Sequence, residues 1–106
     1  MYKPLVILLG FSLLAIMINL PVSHAADEPA YAKWGRLAMI ETKVRYPEAE
    51  IIDYLHVGRE SGADISTEIF KLWLKDQQKE FGVFVHISFD NQTEEIVEMT
   101  FTVTDR

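Results

Sequence analysis

The sequence contains no cysteine, and it has only 4 Pro and 5 Gly among its 106 residues. Without cysteine the chain forms no disulfide, offers no thiolate nucleophile and holds no zinc, haem or iron–sulfur cluster through sulfur. Basic residues are also few, since 10 Lys and Arg against 16 Asp and Glu give a formal net charge of −6. This acidic balance argues against a nucleic-acid partner, because such proteins need a basic face.

The apolar residues, 49% of the chain, include one long uncharged run near its beginning. A short positive start precedes residues 5–20, Pro21 ends the run, and the small residues Ser23 and Ala25 follow. This order is typical of a secretory signal peptide. Because the run is shorter than the roughly 20 residues that span a bilayer, we predict cleavage near Ala25 and a secreted or cell-wall location. Retention of the segment as a membrane anchor is the alternative.

The first element of the remaining chain, a single domain at residues 26–106, is predicted to be a helix. Residues 31–46 have helical spacing that places Leu37, Ile40 and Val44 in one stripe, with Trp34 at its edge. The next residue, a proline, ends the helix because the position before proline avoids helical backbone angles. The stripe is therefore expected to pack on the rest of the domain.

Four strands are predicted after the helix, at residues 50–58, 67–76, 81–90 and 97–104. Their short connections favour an antiparallel meander. We therefore expect an α+β fold in which one helix packs across a four-stranded antiparallel sheet. The inward face of the first strand stays open, because two sets of side chains compete for it: Ile51, Leu55 and Val57 against Ile52 and Tyr54.

Strand alternation also predicts which side chains lie on the sheet face away from the helix. A short turn near residues 78–79 places Trp73 beside Phe84 on that face, and Lys71 beside His86. Such an aromatic pair stabilises a hairpin, which is one interpretation. Exposed aromatic side chains also mark partner-binding surfaces. The candidate binding residues are Ile69, Lys71, Trp73, Phe84 and His86.

The sequence predicts no catalytic residue, no metal site and no cofactor. Ser61 does not occupy the centre of a Gly-x-Ser-x-Gly elbow. After the signal segment only two histidines remain, His56 and His86, and neither has a carboxylate at ligand spacing on a common helix. We expect a protein that is not an enzyme. A small-ligand or metal carrier that uses both imidazoles on one sheet face is the alternative.

Four stretches carry a resemblance to a known family: residues 34–38, 46–59, 70–74 and 80–85. They resemble the YqzG/YhdC family of small secreted bacterial proteins, which implies export and a single small domain. The order helix, Tyr-Pro and strand meander is also similar to the PepSY domain. The turn at residues 90–97 resembles the Asp-x-x-Thr-Gly-Glu-Val turn found there, with Glu94 at the position of the glycine.

PepSY domains accompany peptidase propeptides and are proposed to restrain proteases at the cell surface. The similarity therefore implies a non-catalytic binding or inhibitory role. We predict a secreted interaction module whose partner is an extracellular or envelope protein. Membrane contact is expected only through an uncleaved signal segment, and a homodimer formed through the exposed face or an edge strand stays open.

Overall fold

The computed structural model describes residues 28–106, so the predicted signal peptide at residues 1–25 lies outside the described residues. Tyr31–Arg106 forms one compact unit. It consists of one helix and four strands: α1 (Ala32–Arg45), β1 (Glu50–Glu60), β2 (Ile65–Asp76), β3 (Lys79–Asp90) and β4 (Ile96–Thr104). No helix within residues 28–106 is long and apolar enough to cross a membrane.

The strands form one antiparallel sheet in the order β1-β2-β3-β4, and α1 packs on one of its faces. The predicted α+β fold is therefore confirmed. The core between the helix and the sheet is built mainly by alternate residues of β2 and β3, as the alternation indicates: Phe70, Leu72, Leu74, Val83, Val85, Ile87 and Phe89.

The helix packs through a face that differs from the predicted one. Its buried residues are Trp34, Gly35, Ala38 and Thr42. The predicted stripe is wrong in two of its three members, because Ile40 is 59% and Val44 70% exposed; Leu37 alone packs against the core.

Small side chains explain this choice, because they allow the helix backbone to approach the sheet closely. A Cβ atom at Gly35 would lie only 2.0 Å from the hydroxyl oxygen of Tyr54 on β1. At the beginning of the helix the Trp34 ring stacks on Phe89 of β3, with ring centroids 4.3 Å apart. A hydrophobic stripe read from sequence does not count glycine, alanine or threonine, so it missed this face.

The hairpin between β2 and β3 has a shorter loop than predicted. Asp76 pairs with Lys79, so only Gln77 and Gln78 connect the strands, and Gln77 adopts a φ of 57°. A left-handed residue at the start of a two-residue loop suits the right-handed twist of the strands. The predicted pairing is wrong by two residues as a result. Because side chains alternate with a period of two, this shift leaves every residue on its predicted face.

The β3–β4 turn is ordered by the Asp90 side chain. Its Oδ1 accepts hydrogen bonds from the backbone N–H groups of Gln92 and Thr93, at 2.8 and 2.9 Å. These two bonds favour the ionised carboxylate and lower the pKa of Asp90. Glu94 then adopts a φ of 63°, the left-handed conformation that glycine ordinarily occupies.

Candidate functional site

The five predicted binding residues lie together on the sheet face away from α1, which we call the open face. Ile69, Lys71 and Trp73 come from β2, and Phe84 and His86 come from β3. Each alternates along its strand with a buried core residue. All five are partly exposed. The structure therefore brings the whole candidate set onto the two central strands.

Cross-strand neighbours within the set differ from those predicted. Trp73 lies opposite Gly82, and Lys71 lies opposite Phe84. A Cβ atom at Gly82 would come within 3.1 Å of the Trp73 ring and 2.8 Å of the Thr104 methyl carbon, so the indole needs glycine beneath it.

A hydrogen bond then fixes the edge of this indole. Trp73 Nε1 donates to Glu80 Oε1 at 2.6 Å. The ring of Trp73 is thus held from below by Gly82 and from its polar edge by Glu80. These two contacts fix the orientation of the indole on the open face.

The Lys71 ammonium is the central charge of the open face. Its Nζ lies 5.7 Å from the centroid of the Trp73 ring and 5.5 Å from that of Phe84. Both distances are within the range of cation–π attraction. Within residues 28–106, no carboxylate lies at ion-pair distance from Lys71. The Lys71 ammonium therefore contacts two aromatic rings, and no carboxylate of residues 28–106 forms an ion pair with it.

A small pocket lies next to this ammonium, between β1 and β2. Its volume is about 200 Å³, and its lining includes Asp53, Leu55, Lys71 and Trp73. Pockets for drug-sized ligands usually measure about 300–1,000 Å³. The pocket is therefore of a size for one inserted side chain.

Strand β1 extends the apolar part of the open face. Its register with β2 shifts at two β-bulges, one between Ile51 and Asp53 and one between His56 and Gly58. The bulges decide which side chains of β1 face the core, and neither of the two predicted sets is correct. Ile51, Tyr54 and His56 face the core. Ile52, Leu55 and Val57 are exposed. Each bulge changes the alternation, which no strict period of two anticipates.

The two histidines lie on opposite faces of the sheet. His56 is paired with the core residue Phe70 on β2, whereas His86 is opposite Ile69 on the open face. The alternative in which both imidazoles bind one ligand is therefore wrong. Within the described residues, Nδ1 of His86 is buried without a hydrogen-bond partner. No cluster of three or more potential metal-binding side chains occurs in that part of the chain.

A buried ionic cluster that sequence analysis missed occupies the core side of β1 and β2. Glu68 is only 1% exposed, and its two carboxylate oxygens contact His56 Nε2 at 2.6 Å and Arg59 Nε at 2.7 Å. Tyr31 stacks on the His56 ring, with centroids 3.8 Å apart and planes 5° from parallel. Glu68 lies two and four residues before Phe70 and Leu72 on the same strand, so strand alternation places its side chain on the same, inward face. This spacing is the sequence feature that could have identified it.

Both oxygens of this carboxylate are occupied by chain partners, so the cluster has a structural role in aligning β1 with β2. Its charge also affects a neighbour. Burial raises the pKa of Tyr54, and the nearby Tyr31 and Glu68 add to this effect. Unlike the Lys71 ammonium on the open face, the Glu68 carboxylate therefore has no oxygen left without a partner from the chain.

Comparison with known proteins identifies relatives of the chain. The profile of a family described as "Protein of unknown function (DUF3889)" matches residues 11–103. The chain belongs to this family. A relative in Bacillus subtilis (strain 168), with the name "Uncharacterized protein YqzG", is 32% identical over 86 residues, which cover 76% of this chain and 80% of the relative. The resemblance to the YqzG family is confirmed. No solved structure matches the chain.

Proposed function

We propose that this member of the DUF3889 family is a secreted, non-catalytic binding module of the bacterial cell surface. Its open face docks an extracellular or envelope protein. The observation that carries the proposal is Lys71, an ammonium held over two aromatic rings with no carboxylate from the described chain to neutralise it. A charge arranged in this way favours an anionic group from a partner.

The surroundings of Lys71 define the chemistry of that partner. The adjacent pocket of about 200 Å³ has room for one side chain, and its lining combines the charged Asp53 and Lys71 with the apolar Leu55 and Trp73. Exposed Leu55 and Val57 provide an apolar surface beside it on β1. Aromatic side chains with a central pocket are typical of the few residues that dominate binding energy. The partner segment therefore carries a carboxylate next to an apolar side chain.

Two features support a location outside the cell and a peptidase as the partner. The uncharged run at residues 5–20 is typical of an export signal. The similarity of the helix and strand meander to PepSY domains favours restraint of an extracellular peptidase by binding. Small-molecule or metal carriage is less favoured, because the pocket is small and His56 and His86 lie on opposite faces.

The test is cross-linking capture from the native bacterium, followed by identification of the captured protein by mass spectrometry and measurement of its affinity. Lys71→Glu reverses the central charge. Lys75→Glu is the matched control, because Lys75 lies on the same strand and the same face, beyond Trp73. Reversing one charge of a desolvated pair costs about 2–5 kcal/mol, so Lys71→Glu is expected to weaken affinity at least about thirtyfold.

Lys75→Glu is expected to leave affinity within a few-fold of that of the natural protein. Replacing both Trp73 and Phe84 by threonine is expected to abolish capture, with circular dichroism confirming that the sheet persists. The proposal fails if Lys71→Glu captures the same protein with unchanged affinity, or if the two lysine variants lose affinity equally.

A further inference from the structure

Asp53 and Lys71 carry opposite charges and line the same pocket on the open face without pairing with each other. In the described part of the chain, neither side chain forms an ion pair. Each is engaged by its own neighbours. Asp53 Oδ1 accepts a hydrogen bond from the backbone N–H of Tyr54 at 2.8 Å, and the Lys71 ammonium lies over the rings of Trp73 and Phe84. The two charges are therefore held apart across the pocket.

The strand register arranges the pocket lining as a square of four side chains. Asp53 lies opposite Trp73, and Leu55 lies opposite Lys71. Each strand thus contributes one charged and one apolar side chain, so the charges occupy one diagonal of the square and the apolar groups occupy the other. Diagonal neighbours on adjacent strands are about 7–8 Å apart. The gap between the two charges is therefore flanked by apolar surface on both sides.

The group that complements this square carries an anion and a cation at the two ends of an apolar stem. An anionic group alone would pair with Lys71 but would desolvate the Asp53 carboxylate without a partner, which is costly. Because the pocket of about 200 Å³ has room for one side chain, both charges are best supplied by one residue.

Only the terminal residues of a polypeptide combine a main-chain charge with a side chain of the opposite charge. A C-terminal lysine or arginine has a carboxylate, a cation and a stem of three or four methylene groups that packs well on apolar surface. An N-terminal aspartate or glutamate also carries both charges, but its stem of one or two methylene groups would leave most of the apolar diagonal uncovered.

We infer that the pocket binds the C-terminal lysine or arginine of the partner protein, an inference that rests on the function proposed above. The terminal carboxylate pairs with the Lys71 ammonium, and the side-chain cation pairs with the Asp53 carboxylate. The stem packs between Leu55 and Trp73. The preceding residue of the partner supplies the apolar side chain that exposed Val57 favours. Asp53 is thus the residue that determines which partner terminus is accepted.

The test titrates acetylated tripeptides into the protein and follows the signals of the open face by NMR. The reference peptide is alanine–leucine–lysine with a free carboxylate. A second peptide ends in a carboxamide and lacks the anion. A third ends in norleucine, which keeps the four-carbon stem and lacks the ammonium. Because a hydrogen bond between charged groups contributes more than a neutral one, removing either charge is expected to weaken affinity by about tenfold or more.

Two variants with a matched change assign the cation to Asp53. Asp53→Asn removes the charge and keeps the oxygen that accepts from the Tyr54 N–H, so the preference for lysine over norleucine is expected to disappear. Glu50→Gln is the control, because Glu50 is an exposed carboxylate on the same strand, opposite Lys75 and outside the pocket lining. This variant is expected to keep the preference. Asp53→Lys is expected to reverse it, so that a peptide ending in glutamate binds more tightly than the reference peptide.

The inference is overturned if the reference peptide does not bind at millimolar concentration, or if the norleucine peptide binds equally well. It is also overturned if the preference for lysine survives in Asp53→Asn or is lost equally in Glu50→Gln. The proposed function is judged separately, by capture with Lys71→Glu. A captured protein that Lys71→Glu loses, and that Asp53→Asn binds with unchanged affinity, would support the proposed function and reject the basic terminus.

Discussion

Replacing Gly35 by alanine tests the close contact between α1 and β1. In a helix interior this change ordinarily stabilises by about 1 kcal/mol, because glycine has the greater conformational freedom when unfolded. Here the added Cβ would lie 2.0 Å from the Tyr54 hydroxyl oxygen and 2.9 Å from its ring carbon Cζ. Overpacking of this kind costs about 1–3 kcal/mol, and the short distance to a packed ring places it at the upper end.

The expected net effect is a loss of about 1–2 kcal/mol in the free energy of unfolding. For a domain of this size, each kcal/mol lowers Tm by roughly 4–8 °C, which is readily measured by circular dichroism during heating. Gly58→Ala is the control, because no atom lies within 4 Å of its added Cβ and its φ is not left-handed. Its Tm is expected to be unchanged or slightly higher.

A second substitution identifies the atom responsible. Tyr54→Phe removes the hydroxyl oxygen and leaves the next atom at 2.9 Å, so the double variant is expected to regain part of the stability lost in Gly35→Ala. A Tm for Gly35→Ala above that of the natural protein would refute the reasoning, since propensity alone would then account for the effect.

Two further predictions concern the core side of β1 and β2. Glu68→Ala should lower the free energy of unfolding by about 3 kcal/mol, as measured by chemical denaturation. This value is at the lower end of the range for breaking a buried ion pair, because His56 and Arg59 both keep contact with solvent. Glu68→Gln should lower it by less in the same assay. Since the pKa of Tyr54 is raised in the folded protein from its ordinary 10.0, its contribution to stability is complete below pH 10 and is lost as pH rises through the folded value. Tyr54→Phe should therefore flatten the decline of stability above pH 10, and an unchanged slope would contradict the assignment.

Much of the fold is predictable from side-chain alternation. The strict alternation of β3, with Val83, Val85 and Ile87 on one face, identifies the strand and its buried side from the sequence alone. The same pattern places Trp73 and Phe84 on the open face. What alternation cannot supply is register, because a slip of two residues preserves both faces. The two-residue loop at Gln77 and the glycine beneath Trp73 decide the pairing instead.

The packing face of α1 and the inward face of β1 could not be predicted from the sequence, for two different physical reasons. Close approach made Gly35 and Ala38 the packing residues of α1, although neither contributes to a hydrophobic stripe. The two bulges of β1 changed its alternation within a few residues, so Tyr54 and His56 both face the core while Leu55 between them is exposed. The contacts of Lys71 depend on the correct register, and for that reason its position between two rings was not foreseen.

The two tryptophans of the chain lie on opposite sides of the sheet. Trp34 is buried against Phe89, whereas Trp73 is partly exposed beside Lys71 and Glu80. The emission of one indole therefore reports on the interior, and the emission of the other reports on the surface. A molecule that occupies the open face alters the spectrum of Trp73 while that of Trp34 stays constant, whereas unfolding changes both. The chain thus carries an intrinsic optical label that separates occupancy from denaturation without any added dye.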